Sequence, residues 1–239
     1  MQEFRVFRAL GLAFKCWFRN FIPFTLLAAL LYSPMLYWVA TFDLDDGFFE
    51  SNHVDPTLGV SALSALVAPL LTYRVIQELN GTRVSMLSSV RHGLRGLLPA
   101  IFLAMISGLT ELIPLGSILN AILICVWFVA APAAVAERRG PFSAFARAAE
   151  LTRGRRLGIF GLVLLVQLIV VPVFFAVGVG VVAGSEDQGE AIFRQLVLVI
   201  VLGVAVLQTL TGIVEAVSYA LLRQDKDGVS HEQLAGVFE

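Results

Sequence analysis

The 239-residue sequence predicts an all-α polytopic membrane protein, with six transmembrane helices in three hairpins and a cytoplasmic interfacial amphipathic helix ahead of each hairpin. Three observations carry that expectation. The chain is 58% hydrophobic and 15% charged, with a mean hydropathy of +0.83. A soluble domain has roughly 25% charged residues, so the apolar surface here exceeds what a soluble core can hide. Apolar residues gather into runs near the ~20 residues a helix needs to cross a bilayer. Finally, sixteen of the 17 basic residues fall on one side of these runs, leaving Arg194 alone on the other.

The N-terminal segment comes first. Phe4, Phe7, Leu10, Leu12, Phe14 and Phe18 recur at helical spacing among Arg5, Arg8, Lys15 and Arg19. Such a helix lies in the interface, its apolar face in lipid and its cations at the headgroups. It lacks a small-residue cleavage site, so the run after it is expected to stay as an anchor. Apolar runs then predict spans at about 21–42, 58–76, 97–113, 118–136, 157–183 and 196–222. The connections are too short for a soluble domain, and residues 1–239 read as one membrane domain.

Orientation follows from charge. The positive-inside bias puts both termini and the loops around Arg83 to Arg95 and Arg138 to Arg156 in the cytoplasm of a cell (inner) membrane. Asp43, Asp45, Asp46, Glu50 and Asp55 occupy the first outer loop, and Glu186, Asp187 and Glu190 the third. Carboxylates are hard-cation ligands, but their spacing matches no calcium loop, and a solvated loop explains them. Cys16 at the cytoplasmic surface and Cys125 inside the fourth span are not placed for a disulfide.

An internal repeat organises the chain. Val75 to Gly81 resembles Ala134 to Gly140, with Glu78 over Glu137 and Gly81 over Gly140. An amphipathic run follows each glycine: Met86, Val90, Leu94 and Leu97 in one copy, Phe142, Phe145, Ala149 and Leu151 in the other. Arg95-Gly96 and Arg153-Gly154 then precede the next span, while the N-terminal unit matches in pattern only. Pro114 to Ser117 predicts a tight turn between antiparallel neighbours. Pro132 and Pro172 predict kinks. Gly154, Gly158 and Gly161, with Gly180 and Gly184, form small-residue faces that suit close helix packing within the chain or a homo-oligomer.

Polar residues inside the spans are the functional candidates. Gln208, Thr211, Glu215 and Tyr219 share one helix face. A carboxylate in hydrocarbon is costly, so Glu215 should find a donor such as Gln167 or Arg74, or serve transport. Glu111, near Asn120 across the hairpin, has the same two readings: a locally satisfied end, or the mouth of a polar cavity. Arg95, Arg153, Arg155 and Arg156 are candidate contacts for anionic lipid, since each basic group near an anionic surface is worth about 1 kcal/mol.

Catalytic, cofactor and metal constellations are not expected. His53, His92 and His231 fall on different loops, and no phosphate loop, nucleophile elbow or dinucleotide fingerprint occurs. A net charge of −1 gives no expectation of a nucleic-acid partner.

Pro132, Glu137, Gly140, Ala144, Leu151, Thr152, Gly154 and Phe160 together resemble the signature of a largely uncharacterised group of prokaryotic multi-pass membrane proteins. That group includes the membrane domain of glycerophosphoryl diester phosphodiesterases. Tyr219-Ala220-Leu221-Leu222-Arg223 with Gly228 resembles the ending of the same group. Ala149 and Arg155 stand where its members often have serine and asparagine. The resemblance implies a six-helix membrane domain and leaves activity open, because the residues present read as membrane helices without the phosphodiesterase catalytic domain. The expected function is a non-enzymatic membrane protein that binds lipid or supports envelope organisation. A small transporter or permease using Glu215 is the alternative.

Overall fold

A computed structural model describes residues 6–41, 56–82, 84–111, 114–184 and 189–228. Every regular element among them is helical: α1 Val6–Arg19, α2 Phe21–Thr41, α3 Pro56–Leu79, α4 Met86–Gly93, α5 Leu97–Glu111, α6 Gly116–Trp127, α7 Ala130–Glu137, α8 Pro141–Thr152, α9 Arg156–Gly184 and α10 Glu190–Asp227. Four helical stretches are long and apolar enough to cross a membrane: Met86–Thr110, Ile118–Glu137, Arg156–Gly184 and Ala191–Asp227. A fifth arises if α1 and α2, bent by 84° at their junction, count as one span.

The 84° bend has a local cause. Asn20 sits between the two helices, and its side-chain Nδ2 donates to the Cys16 carbonyl at 3.0 Å. The same carbonyl accepts the Asn20 backbone N–H at 3.1 Å, so Asn20 closes α1 with both its main-chain and side-chain nitrogens. The small residues Ala9, Ala13 and Cys16 line the inner face of α1, while Phe7 points outward at 79% exposure. Cys16 is therefore buried in the core, not at the surface as expected. Glycine-free close approach is possible here because alanine and cysteine are small enough to let α1 lie directly on α9 and α10.

The stretch before the third span also differs from expectation. α4 does not lie apart in the interface; its backbone stays right-handed through a 3₁₀ turn at Leu94–Gly96 and runs on into α5. Packing explains why. Pro69 lacks an N–H and interrupts the α3 ladder. One turn on, Ser89 inserts: its Oγ donates to the Leu70 carbonyl at 2.6 Å and accepts from the Arg74 N–H at 3.2 Å. Gly93 and Gly96 make room for this approach. A Cβ at Gly93 would stand 2.6 Å from Leu70 Cα and from the Pro69 carbonyl oxygen, and one at Gly96 would stand 2.6 Å from Val135 Cγ2.

Proline also shapes the fourth run. Pro132 cannot donate to the carbonyl four residues earlier, Phe128, and the helix breaks there, between α6 and α7. Pro172, by contrast, lies within an uninterrupted α9. α10 is the centre of the molecule, packed on α3, α9, α2 and α1. Ile213, Val214, Val217, Tyr219 and Leu222 are buried within it. At 38 residues it extends beyond the expected run at both ends.

Three glycines of α9 meet open space among the described residues: Gly161, Gly180 and Gly184 have nothing within 4 Å of an added Cβ, whereas one at Gly178 would stand 3.8 Å from Leu196 Cδ2. Gly154 is not on a helix face at all: with φ +84° it makes the left-handed turn from α8 to α9.

Candidate functional site

The arginines and carboxylates at the ends of α1, α3, α7, α8 and α10 meet in three ion-paired clusters. In the first, Arg19 Nε stands 2.7 Å from Glu78 Oε1. Arg74, one turn before Glu78, is turned the other way: Nε and Nη2 donate to Asn20 Oδ1 at 3.1 and 2.8 Å, and Nη1 to the Val84 carbonyl at 2.8 Å. α3 ends immediately beyond, where Thr82 N–H bonds the Gln77 carbonyl and Gly81 N–H the Glu78 carbonyl. That paired pattern needs a left-handed residue, and Gly81 supplies it at φ +80°.

Glu137 centres the second cluster, its side chain only 8% exposed. Its Oε2 accepts from Arg139 at 2.6 Å, and its Oε1 from Arg147 Nε at 3.0 Å and from the Tyr219 hydroxyl at 3.0 Å. Arg223 Nη1 donates to the Tyr219 oxygen at 3.0 Å, and its Nε lies 3.8 Å from Glu137 Oε1. Burial by itself would lower the affinity of Arg147 for its proton. Hydrogen bonds to Glu137 and Glu150 outweigh that and hold it above the ordinary guanidinium value. Glu137 at the end of α7 is thus in direct contact with Tyr219 and Arg223 of α10.

The third cluster joins α10 to the turn between α8 and α9. Arg155 Nη2 stands 3.2 Å from Asp225 Oδ2. Arg147 pairs with Asp227 and, at 3.0 Å, with Glu150. Lys226 Nζ donates to the carbonyls of Glu150 and, at 3.0 Å, Arg153, neutralising the exposed C-terminal carbonyls of α8.

A pattern emerges that the sequence reading missed. Asp225 precedes Gly228 by three residues, as Glu78 precedes Gly81 and Glu137 precedes Gly140. Each acid closes a helix and carries an arginine partner. The third copy hides behind an Asp-for-Glu exchange and a long separation. Arg147, Arg223 and Asn20 were missed as well, because nothing in their local sequence marks partners so far along the chain.

The sequence candidates are placed as follows. Glu215 makes no hydrogen bond or ion pair among the described residues, and neither do Gln208 and Thr211. Gln167 is exposed on α9 and Arg74 is committed to Asn20 and Val84, so neither partners Glu215. Tyr219 is engaged with Glu137. Asn120 has a buried Oδ1 without a partner among the described residues; the side chain of Glu111 lies outside them. Arg95, Arg153 and Arg156 are exposed and make no ion pair or side-chain hydrogen bond there, unlike Arg155. His92 stacks on Tyr73 with centroids 4.3 Å apart. His53, His231 and the acidic residues 43–55 and 186–187 lie outside the described residues. Among the described residues no cluster of metal-ligating side chains occurs.

The chain matches no protein-family model, no curated protein and no solved structure.

Proposed function

We propose that this is a non-enzymatic protein of the cytoplasmic membrane that binds anionic lipid at its basic end, with six spans in three hairpins and both termini in the cytoplasm. One observation carries the reading. While Arg19, Arg139, Arg147, Arg155 and Arg223 are held by carboxylates, Arg95, Arg153 and Arg156 are exposed and make no ion pair or side-chain hydrogen bond among the described residues. They are flanked by exposed apolar side chains: Leu94 beside Arg95, and Leu157, at 88% exposure, beside Arg156. Cations next to outward-facing hydrocarbon suit a side chain that snorkels from lipid to headgroup phosphate.

Native mass spectrometry of the gently purified chain tests this. Wild type should retain phosphatidylglycerol, and Arg95→Gln with Arg153→Gln should lose most of it; equal retention counts against these residues. Reporter fusions at Asp46 and Asp187 should read as outside, and either one reading as cytoplasmic breaks the six-span arrangement.

A second reading, a small transporter, is favoured by Glu215, which has no partner among the described residues, and by Ser218 one turn on, whose Oγ is buried and unpaired. Intramembrane carboxylates of this kind mark transport pathways. Glu215→Gln should then abolish substrate-dependent flux at unchanged expression, and an unaltered rate sinks the idea.

A further inference from the structure

Residues 225–227 form a clasp over one short stretch of chain. Asp225 takes Arg155, Lys226 takes the carbonyls of Glu150 and Arg153, and Asp227 takes Arg147 and stands 3.6 Å from Arg223 Nε. All but the last lie between the second half of α8 and the Gly154 turn. Each aspartate meets its guanidinium through a single oxygen, Oδ2 on Nη2, a charge-assisted contact that a phosphate oxygen makes equally well. Arg147 does not depend on Asp227 for its position, since Glu137 and Glu150 already hold its Nε and Nη1. Its Nη2 keeps its direction whether or not Asp227 is there.

We propose that Arg147 and Arg155, flanked by Arg153 and Arg156, form a phosphate site for an anionic lipid headgroup, and that Asp225 and Asp227 occupy it as built-in counter-ions. Lipid binding and release of the last turn of α10 are then one exchange. This rests on the reading that the basic end lies at the headgroups. Each pair to be displaced has one partly open partner, Arg155 at 34% and Asp227 at 28%, and one largely buried partner, Asp225 and Arg147, both 11% exposed, so a phosphate has to take over each contact as the aspartate leaves. A lipid headgroup fits better than a soluble phosphate ester because Phe142 at 77% exposure and Leu157 flank the stretch with outward-facing hydrocarbon.

The test uses the full chain in phosphatidylcholine nanodiscs with and without a minor fraction of phosphatidylglycerol, counting retained phosphatidylglycerol by native mass spectrometry. Asp225→Asn with Asp227→Asn should raise retention about five-fold, the scale of one added unopposed charge at an anionic surface. Adding Arg155→Gln should return it to the wild-type level or below; Arg147 is left in place because it also holds Glu137. In wild type, phosphatidylglycerol should speed amide exchange at 224–228, whereas inorganic phosphate in phosphatidylcholine alone should not. If phosphate does so equally, the lipid assignment is overturned. If the aspartate pair retains no more lipid than wild type while Arg95→Gln with Arg153→Gln still retains less, the clasp is overturned and the lipid reading stands. If no variant changes retention, the lipid reading falls and the clasp with it.

Discussion

The Tyr219 hydroxyl donates to the Glu137 carboxylate at 3.0 Å across 82 positions of chain. This bond ties the last membrane-length helix to the end of α7, at a carboxylate that two arginines also contact from α8 and α10. Hydrogen bonds to a charged group contribute about 1.5–3 kcal/mol. Tyr219→Phe should lower stability by that amount, read as a fall in the thermal midpoint in detergent. Glu137→Ala should cost more, about 3 kcal/mol, the low end for a broken buried pair, because Arg147 and Arg223 are left with only the Glu150 and Asp227 carboxylates. Equal losses in the two variants would show that the arginines do not rely on Glu137.

Gly93 and Gly161 offer a contrast within one residue type. Gly93→Ala drives a Cβ into the backbone of Pro69 and Leu70, where nothing flexible can yield, and should cost about 1–3 kcal/mol. Gly161→Ala meets open space and should be neutral or stabilising, by up to about 1 kcal/mol from helix propensity. A larger loss at Gly161 would mean that a second copy of the chain packs there.

The Arg74 guanidinium meets Asn20 at the 84° bend between α1 and α2. Asn20→Ala removes the acceptor for two guanidinium N–H groups and the donor to the Cys16 carbonyl, a predicted loss of about 2–4 kcal/mol when the contributions of such bonds are combined. Spin labels at positions 7 and 30 should report a changed distance in the variant; an unchanged distance places the cause of the bend elsewhere.

Burial pushes the Cys16 thiol up to about 12, and the Glu78 carboxylate adds to the shift. A raised value favours the protonated thiol in the folded state. The stabilisation is complete below the ordinary value of 9.0 and is lost as pH climbs from there toward about 12. The thermal midpoint should therefore fall above pH 9, and Cys16→Ala should flatten that fall. Alkylation of Cys16 at pH 8 should be far slower than that of a free thiol. Rapid labelling would contradict its burial.

How much of this was legible in the sequence depends on range. The apolar run expected at 157–183 is found as α9 almost to the residue, because hydrophobic length is written locally. The Pro132 break was also legible, although it falls one turn upstream, between Trp127 and Ala130, where proline has no N–H to offer the Phe128 carbonyl. The fusion of α4 with α5 was not. It depends on Ser89 entering the α3 ladder beside Pro69, a meeting of residues far apart in sequence that no periodicity encodes. The same holds for the clusters at the basic end. Glu137 stood out as a repeat marker, but its partners Arg147, Tyr219 and Arg223 are assembled only by the packing of α10 against the rest. Glu215, the most conspicuous candidate by composition, has no partner among the described residues, whereas the less conspicuous Asp225 and Asp227 are fully engaged.

The length of α10 has a practical consequence. At about 1.5 Å per residue its 38 residues reach about 57 Å, well beyond a hydrocarbon slab about 30 Å thick and longer than a bilayer with its headgroups. Modest tilt does not absorb that excess, so in a spanning α10 an end reaches past the hydrocarbon. Of the two aspartates there, Asp227 is 28% exposed and Asp225 11%, so a carboxylate-directed crosslinker should find the first well before the second.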